Sequence, residues 1–384
     1  MIYFLSFLLL LTITAMLSAR SFKIKQQKRV VQLKSLWGKA KTDNFNFSHI
    51  SIFTDLHKEN TFHQLSEQTK SDIDFNDLFC LVDRTNSCVG QQFLFDVLSK
   101  PTNDIAALEK LSRQSDFFAN NEPLRQEVQQ LLTGLGNTDA YFIATLLDDH
   151  LPEKPTWYKW VIPYLACMLL LILFYPLYHL LLLWLMIPLA VNVFLHYRNK
   201  NHTKRFNKSF PQLNLLIRVC KKLLLKDIPF ENESVKNSIR NLKSIQRKST
   251  LLSHDESTFK DELTQIFLYF FELLKAFFLV EFFAFYSILK EIKSKQADIL
   301  NLFKYVGIID TSLSIASLRA GSLKTCMPVF LPDSKQLSCK QLYHPLIADC
   351  VTNDIDVSSK SVLITGSNMS GKTTFLARWP LIQF

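Results

Sequence analysis

The sequence predicts a mainly α-helical protein that combines transmembrane helices, long packed helices and the start of an α/β domain at its carboxyl end. Two stretches, of 19 and 38 residues, contain no charged side chain. Apolar residues recur every three or four positions through the middle of the chain, as they do in packed helices. Short β-prone segments between turns follow residue 324, which is typical of an α/β domain.

The composition excludes a disordered or low-complexity chain, because hydrophobic residues make up 48% and charged residues 20% of the 384 positions. The formal net charge of +10 suits a phosphate-bearing partner or an anionic membrane surface and does not choose between them. The seven cysteines are an odd number without a C-x-x-C pair. We therefore expect reduced thiols in a cytosolic compartment, with neither disulfides nor a zinc site.

The first apolar stretch, residues 1–19, is just long enough to cross a bilayer as a helix and is predicted to be a transmembrane anchor. Basic residues crowd the following segment, 20–42, before the first acidic residue. The positive-inside rule then places the amino terminus outside and the downstream chain in the cytosol. This basic segment is expected to meet anionic lipid rather than DNA phosphates, because it directly follows the span. A cleaved signal peptide ending at Ala19 is the alternative, although such a peptide carries its positive charge before the apolar stretch.

The second apolar stretch is predicted to be a transmembrane hairpin over residues 157–197. Its uncharged part, Trp160 to Tyr197, would be about 57 Å long as one helix, whereas the hydrocarbon core is about 30 Å thick. Two spans with a turn at Pro176 fit better. Basic residues flank both ends, so both ends are expected on the cytosolic side of a cytoplasmic (inner) membrane. A buried hairpin in a soluble core is the alternative.

Helical periodicity dominates the segments on either side of the hairpin, residues 43–156 and 198–300. A third apolar segment, Ile266 to Leu289, contains three charged residues at positions 272, 275 and 281. Because charges inside a span are costly, we predict a long packed helix outside the membrane rather than a further span. In the last segment, residues 301–384, strands are predicted at Val329–Leu331 and at Ser361–Thr365.

The sequence places a nucleotide-binding motif near the carboxyl end. The pattern G-x-x-x-x-G-K-[ST] spans Gly366 to Thr373, between a predicted strand and a predicted helix that begins at Lys372. Backbone N–H groups of such a loop cradle phosphate oxygens. Lys372 would reach the β- and γ-phosphates, and the hydroxyl of Thr373 would ligate Mg²⁺. The predicted nucleotide-binding residues of the loop are Gly366, Ser367, Asn368, Met369, Ser370, Gly371, Lys372, Thr373 and Thr374.

The stretch from Leu363 to Leu376 resembles the phosphate-binding loop of the MutS family of mismatch-repair ATPases, with the Asn-Met pair inside the loop and Thr-Phe-Leu after it. Further matches lie upstream. They are Asp83-Arg84-Thr85, Ser87, Gly90, the Leu98-x-x-Pro101 ending, Arg113-Gln114, Ile309-Asp310, Ser314-x-Ala316, His344-Pro345 and Asn353-Asp354. The sequence is most similar to the membrane-attached MutS-related branch, which lacks the amino-terminal domain that reads mismatches.

This resemblance implies a mainly α fold, with long lever helices plus transmembrane helices and the start of a C-terminal α/β P-loop ATPase domain. Residues 43–156 and 198–300 would be the two halves of the lever domain, and 301–384 a truncated ATPase domain. The resemblance implies ATP and Mg²⁺ as cofactors, an adenine contact at Val351, DNA as a partner and a homodimer for the full-length form. Mismatch specificity is not implied, since no segment resembles the mismatch reader and the apolar hairpin stands where repair members carry their DNA clamp.

The sequence departs from the family after Leu376, where relatives continue to a Walker B acidic pair and a dimerising tail. Here Ala377 to Phe384 is unlike the family, and Pro380 would end the helix. Since Walker B completes the Mg²⁺ shell and orients the attacking water, we expect a chain that binds ATP without hydrolysing it, as from a frameshift or a truncated gene. The alternative is a membrane-bound helical scaffold with a vestigial nucleotide site.

Overall fold

The computed structural model describes residues 28–57, 61–174, 181–252, 279–321, 325–331, 336–347 and 350–358, with the isolated positions 12, 16, 20, 21, 24, 277 and 365. Most of these residues are helical, so the prediction of a mainly α fold is confirmed. The helices are α1 Phe47–Ile50, α2 Ile52–Leu56, α3 Glu67–Asp72, α4 Phe75–Val82, α5 Cys88–Ser99, α6 Ile105–Asn120, α7 Glu122–Leu132, α8 Tyr158–Phe174, α9 Leu181–Leu223, α10 Glu233–Asn241, α11 Lys243–Leu252, α12 Val280–Ser294 and α13 Gln296–Arg319. Short 3-10 helices occupy Thr133–Leu135 and Thr138–Leu147, and two strands are β1 Gln336–Leu342 and β2 Asn353–Ser358.

The chain forms two compact units. Unit 1 comprises residues 1–54, 58–136 and 306–384, and unit 2 comprises residues 55–57 and 137–305. Helix α13 begins in unit 2 and ends in unit 1. All seven cysteines lie among the described residues, and none of them forms a disulfide.

Unit 1 is built around an aromatic core on α4 and α5. The ring of Phe95 lies 5.2 Å from that of Phe79 and 5.3 Å from that of Phe75, both edge to face. Ser87 caps α5, because its hydroxyl accepts a hydrogen bond from the Gly90 amide at 2.9 Å. The cap fixes where α5 starts, and it thereby also fixes the loop that leads into it.

Helices α9, α11 and α12 of unit 2 form a bundle. Ser249 on α11 donates to the side chain of Asn214 on α9 at 2.9 Å, and Lys248 on α11 pairs with Glu291 on α12 at 2.9 Å. Buried aliphatic and aromatic residues fill the space between the helices. They include Leu213, Ile217, Leu242, Ile245, Phe285, Ile288 and Ile292.

Helix α9 is the longest element, with 43 residues and a length of about 64 Å. It continues without interruption through position 197, where the sequence predicts the end of the apolar hairpin. Pro188 and Pro211 lie inside it. The predicted apolar segment and the predicted second lever half therefore share one helix.

The predicted apolar hairpin corresponds to α8 and the beginning of α9, while residues 175–180, with Pro176, lie outside the described residues. Large apolar side chains on both helices are exposed. On α8 they are Trp160, Ile162, Leu169, Leu170, Ile172, Leu173 and Phe174, and on α9 they are Met186, Ile187, Val191 and Phe194. So many large exposed apolar side chains on two helices are unusual for a protein that is surrounded by water.

The third apolar segment packs on the hairpin helices where it is described. Phe282 on α12 stacks on Trp157 at 5.0 Å and on Tyr158 at 5.4 Å between ring centroids. The side-chain amide of Asn192 on α9 donates to the carbonyl oxygen of Phe277 at 2.6 Å. Residues 266–276 of this segment lie outside the described residues.

Among the described residues, α13 is the helix that is long and apolar enough to cross a membrane. However, 72% of its most apolar window is buried inside the protein, and the core helix of a soluble protein passes the same test. It also carries buried polar residues, including Asp310 and Ser314. We therefore describe α13 as a core helix.

Strands β1 and β2 pair antiparallel, with Leu337 opposite Val357 and an irregularity between Cys339 and Leu342. The predicted strand at Val329–Leu331 was wrong, because residues 325–331 have no regular structure. Val329 is 85% exposed. A β-prone run becomes a strand only when a neighbour supplies hydrogen bonds and packing, and no described segment pairs with this one. The second predicted strand, Ser361–Thr365, lies almost entirely outside the described residues.

Candidate functional site

The predicted phosphate-binding loop, Gly366 to Thr374, lies outside the described residues. This range includes Lys372 and the predicted Mg²⁺ ligand Thr373. Val351, predicted to contact adenine, lies in the loop before β2 and is 76% exposed. Its side chain is thus accessible.

His344 and Cys350 organise the turn that precedes Val351. His344 is 7% exposed, and its Nδ1 accepts a hydrogen bond from the amide of Leu346 at 3.3 Å. The His344 amide donates to the Sγ of Cys350 at 3.4 Å. His344 therefore stabilises the backbone of the turn after β1, and its Nδ1 is occupied by that task.

A second site is formed by a buried polar cluster of unit 1, which we call the Asp310 junction. It comprises the loop Asp83–Ser87 and the side chain of Asp310 on α13. Asp310 is fully buried. Its carboxylate accepts hydrogen bonds from the Asn86 amide at 2.8 Å, from the Ser87 amide at 2.8 Å and from the Ser87 hydroxyl at 2.6 Å. The side-chain amide of Asn86 donates to it as well, at 3.0 Å. The carboxylate thus fixes the loop to the helix through four neutral donors.

Asp83 is the second carboxylate of the junction and is also fully buried. It accepts from the amide and the hydroxyl of Thr85 at 2.9 and 2.6 Å. Its other oxygen accepts from Gln91 Nε2 at 2.6 Å and from Lys41 Nζ at 2.8 Å. The charge of Lys41 therefore balances the charge of Asp83 directly. A buried carboxylate needs such a partner if it is to stay ionised.

Two further contacts complete the junction. The Arg84 amide donates to the Ser314 hydroxyl on α13 at 2.8 Å, so the loop is bonded to that helix one turn beyond Asp310. At Gly90, an added Cβ would lie 2.5 Å from the Cβ of Asp310. Since real Cβ contacts are not that short, only glycine allows α5 and α13 to approach this closely.

The electrostatics of the junction follow from this geometry. Burial raises the pKa of Asp310, and hydrogen bonds from Ser87 and Asn86 oppose the rise. Both carboxylates are buried and hydrogen-bonded by the protein itself. They therefore hold two segments together rather than face a substrate. Within the described ranges, no group of His, Cys, Asp and Glu side chains could hold a metal ion.

The junction brings together residues that the resemblance quotes from two stretches more than 200 positions apart. Asp83, Thr85 and Ser87 come from the first stretch, and Asp310 and Ser314 from the second. By contrast, Arg113 is exposed and pairs with Glu109 at 3.4 Å on α6, outside the junction.

Sequence reasoning missed three members of the junction, Lys41, Asn86 and Gln91. Lys41 ends the run of basic residues that is expected to meet anionic lipid. Its charge alone does not indicate that its partner is a buried carboxylate. Asn86 and Gln91 are not part of the quoted pattern. The available signal for Asn86 is its place inside the unbroken polar run Asp83–Ser87, which separates two apolar segments.

Comparison with known proteins gives a partial match. The chain is 30% identical over 100 residues to the DNA mismatch repair protein MSH3 of Lodderomyces elongisporus, covering 24% of this chain and 10% of that protein. It is 31% identical over 108 residues to the DNA mismatch repair protein MSH3 of Meyerozyma guilliermondii, covering 26% of this chain and 11% of that protein. No family model matches. The chain thus spans about a tenth of the length of these curated relatives, and the comparison shows a partial similarity to MutS homologues of mismatch repair.

Proposed function

We propose that the chain is a membrane-anchored, MutS-like ATP-binding protein whose helices transmit ATP-driven movement to DNA. The observation that carries this proposal is the Asp310 junction, in which the residues of the resemblance meet on α13. This helix leads toward the segment that contains the predicted phosphate-binding loop. The partial similarity to mismatch-repair proteins supports the same class.

In this proposal, residues Gly366–Thr374 hold the phosphates of ATP, with Lys372 on the β- and γ-phosphates and Thr373 on Mg²⁺. A movement of the nucleotide domain pulls on α13 at its carboxyl end. Because Asp310 and Ser314 tie α13 to the loop before α5, the loop moves with the helix. The junction thus passes on the movement without taking part in chemistry.

Membrane attachment is supported by the exposed apolar faces of α8 and α9, where Trp160 is 65% and Leu173 is 70% exposed. Lys154, Lys159 and Trp157 precede these faces and suit the interface between lipid and water. We infer a multi-pass protein of the cytoplasmic membrane, with the bundle and the nucleotide domain on the cytosolic side. Lipid is then a partner along with ATP and DNA, and a homodimer is the proposed form of the full-length protein.

The proposal is tested with the full chain in lipid nanodiscs and a fluorescent ATP analogue in the presence of Mg²⁺. We expect Lys372→Ala to weaken binding at least about tenfold, because the lysine contacts the phosphates. Lys340→Ala, a substitution of an exposed lysine on β1, is the matched control and should bind as the wild type does. Equal affinity of the wild type and Lys372→Ala would refute the proposed nucleotide site.

A further inference from the structure

Four basic residues form a line on one face of α10 and α11, which we call the basic stripe. Its members are Lys236, Arg240, Lys243 and Arg247, all exposed. Their spacing of four, three and four residues keeps them within a narrow sector of a helix that turns by about 100° per residue. The stripe is about 16 Å long.

The two helices that carry the stripe are separate elements that meet at Leu242. The Leu242 amide donates to the carbonyl of Ser238, and the Gln246 amide donates to the carbonyl of Leu242, both at 3.0 Å. The opposite face is buried through Val235, Leu242 and Ile245. The stripe therefore lies on helices whose opposite face is packed into the protein.

The cations of the stripe are available. Among the residues that the structure describes, none of the four forms an ion pair, whereas neighbouring Lys248 is neutralised by Glu291 at 2.9 Å. Unpaired cations at regular spacing attract a polymer of negative charges, because each contact with a phosphate releases a condensed counterion.

The stripe is too far from the proposed membrane to be explained by lipid. Gln246, next to Arg247, accepts a hydrogen bond from Lys221 on α9 at 3.0 Å. Lys221 lies about 36 Å along α9 from Tyr197, where the apolar segment ends. Even with a tilt of about 40°, that distance exceeds the Debye length of about 8 to 10 Å several times over.

We propose that the basic stripe binds the phosphate backbone of duplex DNA without reading its sequence. This inference rests on the proposed function and assigns the surface that contacts the DNA. Lys and Arg side chains supply the charge. Residues 233–252 contain no aromatic residue on which unpaired bases could stack, so the surface suits a duplex rather than a single strand. Four phosphate contacts predict that log K falls with log salt with a slope of about −3.6.

The test measures the anisotropy of a labelled 25-base-pair duplex that binds the full chain in nanodiscs of neutral lipid, between 50 and 200 mM KCl. Over this range, four contacts correspond to a loss of affinity of about 150-fold in the wild type. Replacing Lys236, Arg240, Lys243 and Arg247 together by Gln should lower the affinity at 50 mM at least about tenfold and remove most of the slope. The matched control replaces Lys28, Arg29, Lys39 and Lys110 by Gln, which removes the same charge from exposed positions in unit 1, and its slope should stay within about one of the wild type.

The outcomes separate the two proposals. A wild type that binds DNA, together with a stripe variant of equal affinity and slope, overturns the stripe and leaves the proposed function standing. An equal effect of the control variant also overturns the stripe, because net charge then explains the binding. A wild type that binds no duplex at 50 mM overturns both DNA proposals, while ATP binding is scored separately. If the variant has an effect only in nanodiscs with anionic lipid, the stripe contacts lipid and the inference is wrong.

Discussion

Each unit contains a carboxylate held by several donors, but the two carboxylates are stabilised in opposite ways. In unit 1, Asp310 is fully buried and accepts from neutral donors, so that burial prevails and raises its pKa. In unit 2, burial also favours the neutral form of Glu291, but hydrogen bonds from Lys295, Ser244 and Lys248 outweigh it and lower the pKa to about 2. The depth of burial and the charge of the donors therefore decide together whether the pKa of a hydrogen-bonded carboxylate is raised or lowered.

The difference suits the positions of the two groups. Glu291 joins α11 to α12 inside a single bundle, where a strong ionic contact keeps helices in register. Asp310 joins α13 to a loop through hydrogen bonds from uncharged donors, without an ion pair of its own among the described residues.

Removing the Asp310 carboxylate should give the largest effect. Asp310→Ala removes the acceptor of both amides of Asn86 and of the buried amide and hydroxyl of Ser87. We expect a loss of about 3 to 5 kcal/mol in the free energy of unfolding of unit 1. The measurement is maleimide labelling of buried Cys88 in unit 1 and buried Cys220 in unit 2 across a urea series, read by mass spectrometry. Cys88 should react at lower urea and Cys220 should not.

The control for this experiment is Asp116→Ala, which removes an exposed partner of Arg319 in unit 1 and should cost less than about 1 kcal/mol. If both thiols shift together in Asp310→Ala, the two units unfold as one, and the comparison between them fails for stability.

Gly90→Ala tests how much the close approach of α5 and α13 contributes to the stability of unit 1. In Gly90→Ala the new methyl group would overlap with Asp310, so that α5 and α13 must separate at a cost of about 2 to 4 kcal/mol, seen as earlier labelling of Cys88. Gly136→Ala is the control, because its nearest atom, the Thr133 carbonyl oxygen, lies 3.2 Å away. Equal labelling of the two variants would show that the close approach at Gly90 is unimportant.

Neutralising Glu291 should have a smaller effect, confined to unit 2. Glu291→Gln retains the shape of the side chain but removes the anion that faces Lys248 and Lys295, and we expect a loss of about 1 to 2 kcal/mol, seen at Cys220. The control is Glu153→Gln, which removes a carboxylate that is 85% exposed and makes a weak contact of 3.6 Å with Lys293. It should leave the labelling of Cys220 unchanged. A shift at Cys88 instead of Cys220 would contradict the assignment of Glu291 to unit 2.

The pH dependence of unfolding should have opposite signs for the two groups. The pKa of Glu291 is lowered in the folded state, so its stabilisation is complete above its unfolded pKa of about 4.5 and is lost as the pH falls toward about 2. The pKa of Asp310 is raised, so its ionised form costs stability, and this cost is relieved as the pH falls through the raised pKa. Between pH 7 and pH 4.5, Cys88 in the wild type should gain protection relative to Asp310→Asn. Equal pH profiles of the wild type and Asp310→Asn would contradict the predicted direction.

Much of the helical fold could be predicted from the sequence, because apolar spacing reports which face of a helix is buried. Helix α5 ends at Ser99, two residues before Pro101, and the residues of the resemblance include both Asp310 and Ser314. The spacing does not report which element covers that face. For this reason the partnership of Lys41 with Asp83, and the packing of Phe282 on Trp157, could not be predicted. The strand predicted at Val329 failed for the same reason, since the residues prone to form it lack a partner.

Helix α9 has a mechanical consequence. A bilayer whose thickness changes makes an embedded helix tilt, and a rod of about 64 Å that tilts by about 5° swings its far end by about 6 Å. The far end of α9 carries the bundle with the basic stripe. A small change in lipid order would therefore displace this bundle sideways by about half the width of a helix. Through α9, the proposed membrane would set the lateral position at which the protein meets DNA.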